Sequence, residues 1–380
     1  MKFEFSDEEE LLRRQVRQLA REKLAPLVVG DEDVESPEIV CQVQTAMAEQ
    51  GLFALFVPEE YGGGGIKSVC LCIVREELSK VSSIADELFA EVGLGVYGVN
   101  VVGREEQKEK YLPRVAKGEL LASFALTEPN AGSDVAAIES TAKLVDEHYV
   151  LNGEKAFATL AGAADIYTIF AKTDPSKGRR GISAFIVERG TEGVEVGKMP
   201  MMAGMEYTIK LTDCCVPKEN LIGNEGDGWA IGLGTLDLMR VTVGAEVLGK
   251  AEAAYEEAWN YACKRVVFGQ PLIDWEVIQF KLADMATEIE VARWMVYRAA
   301  YLRDEGKLPR IVKYASMAKL FATEMASRVI DEAVQIHGGW GVTRGVKVEG
   351  LYREIRLPRL YEGTSEIQRL TIFREINRGY

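Results

Sequence analysis

The chain has 380 residues, 47% apolar and 27% charged, enough for two or three domains with ordinary globular cores. A formal net charge of -14 argues against nucleic acid or an anionic membrane as the main partner. Six cysteines without a CxxC pair and only two histidines give no metal-ligand spacing, so no metal is expected. With no signal-peptide pattern and no apolar run of about 18 residues, a cytoplasmic protein without a membrane span is expected.

Ser6 and Glu9 have the spacing of a helix capping box, and Leu12, Val16 and Leu19 then share one face until Pro26. A second helix is predicted from 37 to 49, closed by Gly51. Residues 52–57 are short and apolar, and the four glycines at 62–65 read as a flexible loop. From 69 to about 92, Leu71, Val74, Leu78 and Val81 form one helical stripe, and helical character returns at 105–112. Gly93-Leu94-Gly95-Val96-Tyr97-Gly98 matches GxGxxG. A dinucleotide fingerprint needs a strand before that motif, and a helix precedes it here. Small residues at a close helix contact explain it better.

The pattern changes near Leu121. Strand-like stretches fall at 122–127, 140–145, 149–151, 166–172, 182–187, 194–198 and 207–211. Turns are read at 146–147, at Asn152-Gly153, at 175–181 and at 190–193. Such spacing predicts a small β-barrel or sandwich ending near 217–228. From Ala230 the chain reads as helical almost to its end. Met285, Ile289, Ala292 and Val296 mark one stripe, and Ala318, Phe321, Met325 and Val329 another. Breaks fall at 306–309 and at 338–341, and a bundle results. The expected architecture is mostly α with a central β domain: an N-terminal all-α domain at 1–119, a small β-barrel at 120–229, and a C-terminal four-helix bundle at 230–380.

Tyr361-Glu362-Gly363-Thr364-Ser365-Glu366-Ile367-Gln368 places a carboxylate between an aromatic residue and a glycine, just past Pro358. Thr364 and Ser365 are good N-caps for a helix through Ile367, Leu370 and Ile372. Glu362 then stands on a tight turn beside a helix N-terminus, a suitable place for a base that takes a proton from carbon.

Four further stretches accompany this one in order: Leu126-Thr127-Glu128-Pro129-Asn130-Ala131-Gly132-Ser133-Asp134, Leu151-Asn152-Gly153-Glu154-Lys155, Arg265-Val266-Val267-Phe268-Gly269 and Gln335-Ile336-His337-Gly338-Gly339-Trp340-Gly341. In order and spacing, over essentially the whole chain, they resemble the acyl-CoA dehydrogenase family. The resemblance implies an FAD enzyme that desaturates an acyl-CoA thioester between C2 and C3. Glu362 would remove the C2 proton while the C3 hydride goes to flavin N5, and electrons would pass to an electron-transfer flavoprotein. In the family the thioester is polarised by the backbone N–H of the catalytic Glu and by a flavin ribityl hydroxyl.

The same resemblance assigns the other site residues. Phe124, Leu126, Thr127, Phe157 and Thr159 would meet the flavin ring. Gly132 and Ser133 suit phosphate or thioester-chain contacts, and Ser133 would also meet the substrate. Arg265, Phe268, Gln335, Gly338 and Gly339 would hold the ADP half of FAD, with Thr364 and Glu366 adding contacts. Arg265 and Phe268 would reach a cofactor in a neighbouring subunit, so a homotetramer, a dimer of dimers, is expected. Asp237, Arg240, Tyr361 and Gly363 fall on the substrate side. Some relatives carry the base on a bundle helix, at the position before Arg240; here it is Met239, which cannot abstract a proton. Glu276 replaces a usual Gln, and a carboxylate there would repel the cofactor's phosphates. His337 reads as a packed loop residue.

Glu91 lies on the helix that lines the acyl pocket in this fold. It is either a carboxylate facing solvent or a cation, or a second carboxylate serving a cyclic or otherwise unusual acyl-CoA. Asp86 gives no cation for an acyl chain bearing a second carboxylate. Competing functions are an acyl-CoA oxidase, an enoyl-CoA reductase and a catalytically silent flavin- or CoA-binding partner.

Overall fold

The computed structural model describes residues 4–27, 36–306 and 311–378. Ser6 and Glu9 form their reciprocal capping box at the start of α1 (Asp7–Leu19). Ser36 caps α2 (Pro37–Glu49), which has Pro37 in its first turn. The helical run read over 69–92 is two helices, α3 (Ser68–Ser79) and α4 (Ser83–Val102), followed by α5 (Glu105–Ala116). The break comes from Ser82, whose hydroxyl accepts the Ala85 N–H at 3.2 Å and restarts the helix. The GxGxxG stretch lies within α4. A Cβ on Gly93 would sit 2.3 Å from Phe56, and one on Gly95 2.6 Å from Ala122, so these glycines serve close packing.

The β domain contains β1 (Ala122–Ala125), β2 (Thr141–Val145), β3 (His148–Thr159), β4 (Ile166–Lys172), β5 (Ile182–Glu188), β6 (Val194–Lys198), β7 (Glu206–Pro217) and β8 (Leu221–Ile222). Among the described residues the strand order is β6-β7-β3-β2-β4-β5-β8, with β1 parallel on β4. Asn152-Gly153 is not a hairpin turn. It lies inside β3, where the register against β7 shifts between Leu151 and Gly153. Gly153 has φ 149, and a Cβ there would lie 2.2 Å from the Ser140 hydroxyl. The dipeptide therefore makes a bulge, not a loop. Tyr149, Leu151, Tyr167, Ile169, Phe185 and Ile209 are in the domain's core.

The C-terminal helices are α6 (Gly228–Lys264), α7 (Glu276–Asp304), α8 (Val312–His337), α9 (Lys347–Glu354) and α10 (Ser365–Asn377). A short hairpin, β9 (Val266–Val267) with β10 (Gln270–Pro271), joins α6 to α7. The expected break at 306–309 begins with Gly306 at φ 59; residues 307–309 lie outside the described residues. No helix among the described residues is long and apolar enough to cross a membrane.

The chain forms two compact units. One gathers Met1–Val34, Lys67–Asp86 and Arg240–Tyr380; the other holds Glu35–Ile66 and Glu87–Met239. The first has an alanine-rich core in which Ala251, Ala254, Ala258, Ala318, Ala322 and Ala326 pack with Ile73, Met285 and Val329. Small side chains let the helix backbones approach closely. Helix α3 sits in this unit with three consecutive buried charges, Arg75, Glu76 and Glu77. Successive residues on a helix point about 100° apart, so each meets a different element. Glu77 accepts from Arg13 and Arg17 of α1, at 3.0 and 2.9 Å. Glu76 accepts from Arg293 at 3.1 Å and the Tyr297 hydroxyl at 2.6 Å, both on α7. Arg75 turns towards Asp86 and α6.

Candidate active site

Glu362 stands at φ 50 and Gly363 at φ 93, two successive left-handed residues before α10. A left-handed conformation costs a non-glycine residue of the order of 1 kcal/mol or more, so the surroundings must hold it. Thr364 caps α10 by accepting the Ile367 N–H at 3.3 Å. Beneath the turn, the buried Lys319 of α8 donates to Tyr361 O at 3.0 Å and to Gly363 O at 2.7 Å. Gln368, also buried, donates to Glu362 O at 3.1 Å and Gly363 O at 2.9 Å. Arg240 Nε lies 3.5 Å from Glu362 O.

The Glu362 residue is half-buried, but its Oε2 is fully enclosed and has no hydrogen-bond partner among the described residues. Burial raises its pKa to about 7, against the opposing pull of Arg75, Arg240 and Lys319. Lys319 is pushed down to about 8 by burial, with Glu362 opposing that shift.

A second layer of charge backs the turn. The Tyr361 hydroxyl lies 2.7 Å from both Glu246 oxygens, and burial with that carboxylate keeps the phenol protonated. Arg75 makes a two-pronged pair with Asp86, at 2.8 and 2.7 Å, reaches Glu246 at 2.7 Å and donates to the Thr242 hydroxyl at 3.0 Å. Burial raises the Asp86 carboxyl to about 6. For Glu246 burial pushes the same way, but Lys250 at 3.2 Å and Arg75 outweigh it and its pKa is lowered.

The other unit holds the predicted flavin residues and Glu91. Glu91 is 4% exposed, and its Oε1 accepts the Phe124 N–H at 2.5 Å and lies 3.3 Å from the Ser123 hydroxyl. The Ser123 hydroxyl also donates to Thr159 O at 2.7 Å. Thr159 donates its own hydroxyl to Glu206 at 2.9 Å. Phe157 has φ 56 at a second register shift in β3, between Lys155 and Ala158, which leaves the ring half exposed. The loop after Leu126 and Thr127 is anchored by Glu128. Its carboxylate accepts Lys155 Nζ at 2.6 Å and the Ser140 N–H at 3.0 Å, while the Glu128 and Ala131 backbones bond each other at 3.1 Å. Gly132 and Ser133 are presented exposed at its tip.

In the first unit a separate pocket of about 540 Å³ is lined by Tyr261, Arg265, Leu272, Gly338, Gly339 and Trp340, among others. His337 on its wall stacks on Tyr261 at 4.3 Å, with Nδ1 2.8 Å from Ala333 O, as a packed residue. Neither Gly338 nor Gly339 has anything within 4 Å of a would-be Cβ. Gln335 is exposed nearby in sequence, and Phe268, at φ 50 in the β9–β10 turn, is 96% exposed. Glu276 is exposed at the start of α7. Asp237 is half-buried on α6, and Thr364 and Glu366 open α10.

Sequence reasoning missed Arg75, Glu246, Lys319 and Gln368, and gave Glu128 and Lys155 no role. Three adjacent charges in an apolar helical stripe, and one lysine beside Ala318, were the available signals.

Comparison with known proteins bears on the whole chain. Residues 6–119, 123–214 and 226–377 match the models for the acyl-CoA dehydrogenase N-terminal, middle and C-terminal domains. An acyl-CoA dehydrogenase of Bacillus subtilis is 42% identical over 380 residues, 98% of this chain and 99% of that one. The caffeyl-CoA reductase-Etf complex subunit CarC of Acetobacterium woodii is 40% identical over 373 residues, 97% and 98% of the two chains. Butyryl-CoA dehydrogenase from Megasphaera elsdenii superimposes with a TM-score of 0.92 at 37% identity, covering all of both chains.

Proposed function

The chain belongs to the acyl-CoA dehydrogenase family of FAD flavoenzymes acting on CH–CH donors, and from that premise we propose that Glu362 removes the C2 proton of an acyl-CoA thioester. The observation that carries the assignment is the enclosed Glu362 carboxylate with an unpartnered Oε2. A carboxylate in water is a weak base for a C–H bond. Removal from water strengthens it, and a thioester carbonyl held by hydrogen bonds acidifies C2. The Glu362 N–H has no acceptor among the described residues and is available for that carbonyl. When bound, FAD supplies the two-electron acceptor for hydrogen from C3 and, through its ribityl hydroxyl, a second donor to the thioester.

In this reading Phe124, Leu126, Thr127, Phe157 and Thr159 hold the flavin ring, and Gly132 and Ser133 meet phosphate or thioester chain. Arg265, Phe268, Gln335, Gly338 and Gly339 take the ADP half, with Thr364 and Glu366 beside it. The pocket fits that role: a guanidinium matches a pyrophosphate, and two open glycines permit close backbone approach. The bare Phe268 ring fits a residue covered by a neighbouring subunit in a homotetramer. Asp237, Arg240, Tyr361 and Gly363 serve the substrate side. Glu91 is already engaged by Phe124 and Ser123, which supports a structural role over acyl recognition. The chain is taken as three successive domains, 1–119, 120–229 and 230–380. Six free cysteines suit a cytoplasmic location.

Electron transfer to an electron-transfer flavoprotein is supported by the Acetobacterium woodii relative, named as a subunit of a reductase-Etf complex. The same name favours a second reading, in which the chain reduces an enoyl-CoA. One experiment addresses both. The FAD-loaded protein is titrated anaerobically with a panel of acyl-CoAs, and after chemical reduction with the matching enoyl-CoAs. Loss of the oxidised flavin band identifies a dehydrogenation substrate; its recovery identifies a reduction substrate. Glu362→Gln should retain FAD and show neither change. A mutant that bleaches normally would remove Glu362 from the mechanism.

A further inference from the structure

We infer that Lys319 and Gln368 are positioning residues that aim the Glu362 turn by holding three consecutive carbonyls, those of Tyr361, Glu362 and Gly363. The inference rests on Glu362 being the base.

A trans peptide is planar, and its C=O and N–H point in opposite directions. The Tyr361 carbonyl and the Glu362 N–H belong to the same peptide. Lys319 fixes that carbonyl at 3.0 Å, so the Glu362 N–H is driven away from α8. The next peptide carries the Glu362 carbonyl, held by Gln368 at 3.1 Å, and the one after carries the Gly363 carbonyl, held by both side chains at 2.7 and 2.9 Å. Two buried side chains thus fix the orientation of three peptide planes around a residue at φ 50.

The geometry selects these residue types. An ammonium supplies several donors and no acceptor, so one lysine can serve two carbonyls. Gln368 uses its amide nitrogen for two carbonyls and leaves Oε1 buried without a partner. Reversing the amide would put that oxygen against both carbonyls, so the orientation is dictated. Gly363 is the counterpart on the turn. A Cβ there would lie 2.7 Å from the Gln368 amide nitrogen, so only glycine leaves room for the contact. Neither Lys319 nor Gln368 needs to touch substrate. Both act through the direction of the Glu362 N–H and carboxylate.

The test uses the full-length FAD-loaded protein, with Lys319→Met and Gln368→Leu made separately. Flavin content and the unfolding midpoint report the fold. Steady-state turnover separates kcat from KM. Exchange of C2 hydrogen with solvent deuterium in a 3-thiaacyl-CoA, followed by NMR, reports proton removal without oxidation of the thioester. Each variant should keep FAD and a KM within about threefold, with kcat and C2 exchange both falling about 100-fold, as expected for a reacting group displaced by roughly 1 Å. Exchange within twofold of wild type in both variants, with Glu362→Gln inactive, overturns the inference and leaves the base intact. So does a loss of activity that only follows lost FAD, which would mark a purely structural role. Should Lys319→Met not fold, Gln368→Leu decides alone. Continued exchange in Glu362→Gln would instead bring down the base assignment beneath it.

Discussion

As the proposed base, Glu362 would work only when ionised, so its environment would set the working pH. With a pKa near 7, proton removal should rise through neutrality and level off above about pH 8, as read from single-turnover flavin bleaching across pH. The same shift has a stability cost with a definite sign. The native state binds this proton more tightly than the unfolded chain does, so the stabilisation is complete below about pH 4.5 and is lost as pH rises through 7. Glu362→Gln should therefore be more stable than wild type at pH 8, by on the order of 1–3 kcal/mol, with the gap closing towards pH 5. Urea unfolding at the two pH values measures it. The turn carrying Glu362 was legible in sequence because Gly363 and the Thr364 cap announce it. Lys319 was not. Periodicity treats a lysine in a helix as a solvent-facing break in the stripe, and only the three-dimensional return of 361–363 onto α8 gives it a buried task.

At the scale of elements, α3 is the clearest case of charge used to organise packing. Its adjacent Arg75, Glu76 and Glu77 reach α6, α7 and α1, and all are at most 3% exposed. A buried ion pair adds little net stability, but removing one partner strands the other. Arg75→Leu should cost about 3–5 kcal/mol because Asp86 loses its two-pronged partner, whereas Arg75→Leu with Asp86→Leu should recover part of that loss. Denaturant midpoints of the three proteins decide it. If the double substitution is no better than the single, the Asp86 pairing is not the source of the cost. The apolar stripe of α3 was readable, since Leu71, Val74 and Leu78 are all fully buried. The partners of its charges were not, because they lie as far away in sequence as Arg293. The Asn152-Gly153 reading failed for a related reason. The dipeptide's turn preference is local, and pairing of β3 with both β2 and β7 overrode it.

For the whole molecule, the first unit exposes the large apolar side chains Phe268, Phe280, Trp294, Trp340 and Phe373, which neighbouring subunits of the proposed homotetramer would cover. Light scattering should give four times the 42.0 kDa chain mass, and Phe268→Asp should weaken FAD retention about tenfold or more without unfolding the chain. A monomer with full FAD occupancy would contradict this. The order α, β, α could be read from periodicity; the two-unit division could not, because periodicity carries no information about which helices meet. That division bears on synthesis. All residues of the unit holding Glu35–Ile66 and Glu87–Met239 have been made once residue 239 is added, while the other unit waits for the C-terminus. Helix α3 leaves the ribosome early, yet Glu76 meets Arg293 only 217 residues later. At roughly 5–20 residues per second that is a delay of about 10–40 s before Glu76 can meet this partner. The Glu76–Arg293 pair therefore forms only after α7 has been made, while Glu77 has its partners Arg13 and Arg17 from the start.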